Sequence, residues 1–476
     1  MKFRLLPLVR RYQLELLCGT ILMCFYAYFY SGASWNQNSR FDLTRAIVEQ
    51  HTLHIDSFHK NTGDKAFFNG NYYSDKAPGL ALAAVPIWAA VRVTLKAAGK
   101  DAATERALNF GLYMAGLLTV ALPTVIALSL LLSAALRMGA SRTGAAFGVL
   151  AVGLGTPVWA YATLFWGHAA AGSFLVFAFL AAIALRKPRS HPLLLGLVVG
   201  GTAGWATVIE YPAGPVAALL AAYAGFNTWR SQPAALSRVM AGIICGAIIN
   251  MLVLGVYNNI AFGSPFSLGY TYNINFPEMR TNGFFGVTHP RIKIMRKVLF
   301  GWQRGLLPLA PVLTFIIVGL HRLWKTRRLE SAIIGAIPLY YVLFNASYVD
   351  WTGGFSYGPR YLAASILFLV VPLSLTWTTG NPVLRILMAG SALAGGVMTL
   401  IAVSTWVLPT TEWTHPIIEL SHAFFRGQIP LRNGTNIGIV MGLEGTSSLA
   451  PLMLLSLIAA FALWKTLRQP VTEAVQ

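Results

Sequence analysis

Charge is scarce in this chain. Only 11% of its 476 residues are Asp, Glu, Lys or Arg, where a soluble globular domain carries about 25%. Acid is scarcer than base, with 16 Asp and Glu against 36 Lys and Arg. Cysteine occurs three times, and Cys18, Cys24 and Cys245 each sit inside an apolar run. That excludes a disulfide framework and a cysteine metal site. No Walker loop, dinucleotide fingerprint, zinc motif or nucleophile elbow is present. These absences speak against chemistry driven by ATP or a nucleotide sugar in the cytoplasm. Neither a cofactor nor a metal is expected.

What fills the chain instead is apolar surface. Hydrophobic residues make up 56% of it, and runs near 20 residues, each long enough to cross a bilayer as a helix, recur throughout. The expected fold is all-α and polytopic. Twelve spans are expected, at 13–33, 107–136, 143–163, 168–185, 193–209, 213–229, 239–260, 306–323, 331–349, 363–378, 384–404 and 447–464. Four basic residues precede the first run, which reads as a retained helix rather than a cleaved signal.

The net charge of +20 is not a nucleic-acid signal, because the basic residues cluster in the short gaps between runs. Half of the 36 fall in the N-terminus, alternate gaps and the tail; all acids but Glu15, Glu330 and Glu473 fall elsewhere. The positive-inside bias then puts both termini in the cytoplasm and the long loops outside, on a cytoplasmic membrane.

Those outer loops run over about 34–106, 261–305, 350–362 and 405–446. Residues 1–404 read as one transmembrane domain. Residues 405–446 read as a small cap, and 447–476 as a last span and tail. Gly79 to Ala97 is apolar enough to span, but counting it as a span would invert every later loop. It is therefore expected in the interface, with Arg92 and Lys96 reaching headgroups. Asp42 to Gln50 is a second interfacial helix.

Charges near the hydrophobic boundary are costly and mark function. Asp42 reads either as a helix-start charge favoured by the dipole or as a catalytic carboxylate, with Asp56 the second choice. Lys76 reads either as a phosphate ligand at headgroup depth or as the partner of Asp75. Asp350-Trp-Thr-Gly-Gly-Phe-Ser-Tyr-Gly-Pro-Arg-Tyr361 shapes a tight turn ending on Arg360, whose guanidinium suits bidentate phosphate binding. Trp351, Tyr357 and Tyr361 are candidate sugar contacts in that turn. Arg304 enters a span from the outer side. Tyr73, His168 and Glu210 complete the candidate substrate contacts.

These residues resemble the GT-C superfamily of polytopic glycosyltransferases, which includes protein O-mannosyltransferases and lipid A aminoarabinose transferases. The similarity is sharpest over 36–86. There Tyr73-Ser-Asp75-Lys76-Ala-Pro78 looks like the aromatic-acid-Lys-Pro element that leads into an interfacial helix. Where such proteins carry an acidic pair, this chain has Asn36-Gln37-Asn38.

The resemblance implies a polyprenyl-phosphate sugar donor and a lipid, glycan or protein acceptor at the periplasmic face. It also implies an inverting reaction. A first-loop carboxylate deprotonates the acceptor, and cations such as Lys76, Arg360 and Arg304 stabilise the departing phosphate. The competing class is a secondary transporter or flippase, for which twelve spans is a common count. Such proteins repeat their halves and place ionisable groups at mid-membrane, and neither feature is visible.

Overall fold

A computed structural model describes residues 12–187 and 191–468. The basic residues before position 12, Arg189, and the tail with Glu473 lie outside them. Helix dominates. The only named strands among the described residues form two two-stranded antiparallel sheets, Phe29–Tyr30 with Thr435–Asn436 and Lys65–Phe68 with Asn71–Ser74. The chain is a multi-pass membrane protein. Among the described residues, nine helices are long and apolar enough to cross a membrane.

Eight of the nine match expected spans, and the ninth is Gly79–Ala97. Of the four expected spans that are missing, 213–229 forms a continuous helix of 18 residues, Gly214–Ser231, that falls outside the nine. The other three are shortened or broken. The first run yields a helix of only 15 residues, Gln13–Ala27, and Tyr28 leads straight into the Phe29–Tyr30 strand. The 143–163 run breaks at Gly155-Thr156-Pro157 into Arg142–Leu154 and Val158–Ala162. The 306–323 run breaks around Pro308 and Pro311 into Leu306–Leu309, a 3₁₀ turn and Ile316–Thr326, because proline removes a helical donor and crowds the preceding turn. Gly79–Ala97 forms one continuous helix of 19 residues and is itself among the nine.

The helix expected from Asp42 starts at Trp35 and runs to Arg45, continuing through a π turn, Ala46–Gln50. Its start was legible as Ser34-x-x-Gln37, a helix-opening pattern; the Ser34 hydroxyl donates to Gln37 Oε1 at 2.8 Å. The strands were also missed. Asn69 and Gly70 both take positive φ, 48° and 84°, the two-residue turn whose twist suits a hairpin. This hairpin ends on Ser74 and so delivers Asp75 and Lys76.

Small residues bring the helices into backbone contact. Gly196 and Gly200 of Pro192–Ile209 face Val239 and Ile243 of Leu236–Phe262, while Gly242 and Gly246 face back. At each of these glycines an added Cβ would collide with backbone atoms of the other helix. Lipid gives no hydrophobic drive for helix pairing, so close packing of this kind supplies it. Asn250 closes the seam by donating to Gly201 O at 3.0 Å.

At one end of the bundle the four long loops join. Ala66 bridges to Asn273, Thr288 N donates to Ser347 O at 2.9 Å, and Gln303 donates to Thr411 O at 2.8 Å. The Phe29–Tyr30 strand ties the first loop to the last. This end is called the loop face below.

Gly200→Val is expected to destabilise the protein by about 1–3 kcal/mol through overpacking, seen as a lower melting temperature in detergent. Gly201→Ala, one residue on and with nothing within 4 Å of its Cβ position, is expected to leave it unchanged.

Candidate functional site

At the loop face lies a cavity of about 450 Å³. It is enclosed by the ends of Trp35–Arg45, Gly167–Ala184, Pro192–Ile209 and Arg328–Ser347, with Lys76 after the hairpin, the 268–287 loop and the Arg360-Tyr361 turn. Most of its wall is aromatic or aliphatic, with Tyr211, Tyr270, Tyr340, Phe344 and Tyr348 prominent. Its polar groups converge from distant parts of the chain: Asn36, Arg40, Lys76, His168, Glu210 and Arg360.

Arg40 organises one side. It is 1% exposed, and all three of its nitrogens are engaged. Nε donates to Asn36 Oδ1 at 3.1 Å, Nη1 to the carbonyls of Ala77 and Ile209 at 3.2 and 3.5 Å, and Nη2 to Glu210 Oε1 at 2.6 Å. One guanidinium thereby joins the first loop helix, the segment after Lys76 and the end of Pro192–Ile209. Gly79 permits the same approach, since a Cβ there would come within 2.7 Å of the Val208 carbonyl. His168 Nδ1 lies 3.8 Å from the same Glu210 oxygen, and its ring meets Tyr361 edge-on with centroids 5.6 Å apart.

Burial opposes ionisation of Glu210. His168, Arg40, Arg360 and Lys76 together outweigh it and hold the carboxyl below its usual range. Glu210 is therefore ionised at neutral pH. Its Oε1 takes the Arg40 bond, and the residue lines the cavity.

Lys76 organises the other side. Its Nζ lies 3.2 Å from Asp64 Oδ2 and 3.2 Å from Asp75 Oδ2. Asp75 is wholly buried and accepts from Asn273 Nδ2 at 2.6 Å. Burial pushes the Asp75 carboxyl up, against the pull of Lys76, to about 6. Burial alone would lower the Lys76 ammonium, but Asp64 and Asp75 raise it above its usual range. It stays charged.

Arg360 differs from both. No carboxylate stands within ion-pair distance of it among the described residues. Its guanidinium sits 5.1 Å from the Trp166 ring centroid and 4.9 Å from that of Tyr361, an arrangement that holds a cation without neutralising it. Nη2 donates to the Tyr361 hydroxyl at 3.0 Å, and Nε is buried with no partner.

Of the residues singled out in the sequence, Lys76, Arg360, His168, Glu210 and Tyr361 come together on this cavity. The others do not line it. Asp42 lies on the far side of its helix from Arg40, because two residues turn a helix by about 200°; it accepts from Asn61 at 3.2 Å. Asp56 accepts from the Tyr72 amide at 2.6 Å and pairs with His54 at 3.0 Å. Arg304 is a strut, donating to the carbonyl and hydroxyl of Ser356 at 2.5 Å each, and so fixes the turn that carries Arg360. Tyr357 is buried, and its carbonyl accepts from Tyr161 at 2.6 Å. The Trp351 carbonyl accepts from Asn345 at 2.7 Å. Tyr73 packs on Phe262 at 5.3 Å between centroids, and Asp75 reaches the site only through Lys76. Arg40 and Asp64 escaped the sequence reading, and Asn36 entered it only as a residue standing where an acidic pair was expected. Arg40 carries a signal: two residues from Asp42, it is a second charge on a helix beside the first span.

No protein-family model matches the sequence, and no curated protein does. Two solved structures are similar in fold, both of ArnT from Cupriavidus metallidurans. One is the apo state, at 13% identity and TM-score 0.48 over 94% of this chain and 73% of that one. The other is bound to undecaprenyl phosphate, at 14% identity and TM-score 0.49 over 96% and 75%.

Two outcomes follow from the geometry. Arg40→Met is expected to cost about 3–5 kcal/mol, because it strands the Glu210 charge; Arg40→Met with Glu210→Met is expected to recover most of that loss in a melting comparison. Burial also pushes the Asp42 carboxyl up to about 7, with Asn61 and Arg45 pulling the other way, and Oδ2 is buried without a partner. A raised carboxyl favours the protonated folded state, so this contribution is complete below pH ~4 and lost as pH rises through ~7. Asp42→Asn is expected to raise the melting temperature at pH 8 and to leave it unchanged near pH 4.

Proposed function

We propose that this chain is a GT-C type membrane glycosyltransferase that moves a sugar from a polyprenyl-phosphate donor to a hydroxyl acceptor at the loop face. On this reading the loop face is the periplasmic side of the cytoplasmic membrane. The termini are cytoplasmic, and helices of the first loop lie along the interface. The observation that carries the proposal is one cavity combining an apolar aromatic wall, three cations and a carboxylate. Arg360, held by ring faces and not by an acid, is poised for an anion.

In the proposed reaction the donor phosphate sits between Arg360 and Lys76. Its lipid chain lies along the apolar wall near Leu343 and Phe344. The Glu210 carboxylate accepts the proton of the acceptor hydroxyl, within hydrogen-bond reach as general-base catalysis requires. That oxygen bonds to the anomeric carbon, and the bond from this carbon to the phosphate oxygen breaks with inversion. The electron pair leaves with the lipid phosphate, whose added charge Arg360 and Lys76 stabilise against a largely apolar wall. Glu210 fits the base role better than Asp42, since it borders the cavity and stays ionised. Arg40 holds its geometry. A transporter would need a path through the bundle, whereas this cavity is built from the loop-face ends of its helices.

The test is comparative mass spectrometry of envelope lipids, glycans and proteins from cells with and without the gene, complemented by variants. Loss of one hexose or pentose from a single acceptor class is expected, restored by the native chain. Lys76→Ala, Arg360→Ala and Glu210→Gln are each expected to lower transfer roughly 10²–10³-fold per folded molecule, with Lys76→Ala and Glu210→Gln also lowering the melting temperature because each strands a buried charge. Asp42→Asn is expected to leave it near normal. Unchanged envelope chemistry would overturn the proposal.

A further inference from the structure

A second, larger cavity opens at the opposite end of the bundle, with a volume of about 1030 Å³. One wall is Leu122–Arg137, whose Leu122, Ile126 and Leu130 stand four residues apart along the groove. These side chains are 37%, 43% and 45% exposed, so the groove is open along its side. The facing wall is Gln13–Ala27, from Leu16 to Met23. From Leu122 to Arg137 the groove is about 22 Å long at the helical rise, the scale of an extended acyl chain.

Its polarity changes at one end. Arg137, Lys187 and Arg327 gather there, and none has a carboxylate within ion-pair distance among the described residues. Arg186 is also at the rim but is committed to the buried Glu330. Among the described residues, the only acid on the groove is Glu15, held by Ser133 Oγ at 2.7 Å. Arg327 Nη2 donates to the Arg137 carbonyl at 3.4 Å, which brings two of the free cations to one spot.

A long apolar slot ending in unpaired cations at a helix end matches one chemistry, a lipid with an anionic head. We propose that this groove is a binding site for an anionic phospholipid of the leaflet at that end, its phosphate among Arg137, Lys187 and Arg327 and an acyl chain along Leu122, Ile126 and Leu130. The site shares no lining residue with the loop-face cavity. It therefore stands or falls apart from the proposed reaction.

Native mass spectrometry of the full chain released from nanodiscs containing equal phosphatidylglycerol and phosphatidylcholine, matched in acyl chains, tests this. The native chain is expected to retain phosphatidylglycerol about fivefold or more over phosphatidylcholine, since each basic residue near an anionic headgroup contributes appreciably. Arg137→Gln with Lys187→Gln and Arg327→Gln is expected to abolish the preference, and Arg137→Lys with Arg327→Lys to keep it. Ile126→Trp, which narrows the slot without altering charge, is expected to reduce retention of both lipids. Equal retention by the native chain, or an undiminished preference in the triple Gln variant, would overturn the site.

Discussion

Arg40 and Glu210 stand 2.6 Å apart with almost no access to solvent, and neither charge is tolerable there alone. Taking either from water costs several kcal/mol, which only a well-placed partner and further hydrogen bonds offset. Much of the loop face follows from this. Arg40 must meet Glu210, so the first loop helix must lie against the end of Pro192–Ile209. Its remaining donors need the Ala77 and Ile209 carbonyls, so the segment after the hairpin must lie there too. Lys76 imposes the same demand on Asp64 and Asp75, and Asn273 ties that cluster to the middle loop. Arg360 alone among the three cations is left without an acid.

The demand can be met because the helices come close enough. Gly79 lets Pro78 and Lys76 approach Val208, and the glycine seam between Pro192–Ile209 and Leu236–Phe262 holds the helix that presents Glu210. Arg304 fixes the 350–361 turn through Ser356. The loop face is thus rigid where it presents charge. The opposite end is built differently: among the described residues there, Arg186 is the cation held by a carboxylate, and Arg137, Lys187 and Arg327 are left for solvent or lipid heads to neutralise.

The all-α membrane class and the loops that build the site were legible in composition and in the spacing of apolar runs. So were Lys76, Arg360, His168 and Glu210, each a polar group at the edge of a run where its presence is costly. Asp42 looked equivalent by the same criterion and was placed with them, although it faces Asn61 on the other side of its helix. Arg304 likewise looked like a ligand and serves as a strut. The hairpin at Asn69-Gly70 and the helix start at Ser34 carried local signals that a search for apolar runs passes over. The expected twelve exceed the nine chiefly where Gly and Pro interrupt runs that are apolar throughout, since hydropathy averages over a window and does not register a broken backbone.

What the sequence determined by itself is the solvent each segment requires: which stretches suit lipid, which need water, and where isolated charges are expensive. That is a property of side chains and their transfer energies, and it needs no partner. Which charges neutralise one another is a different quantity, because it depends on distance between groups as remote as Arg40 and Glu210. Only the tertiary structure decided it, and with it which cation was left free, since pairing falls off within a few ångströms while the residues lie 170 positions apart.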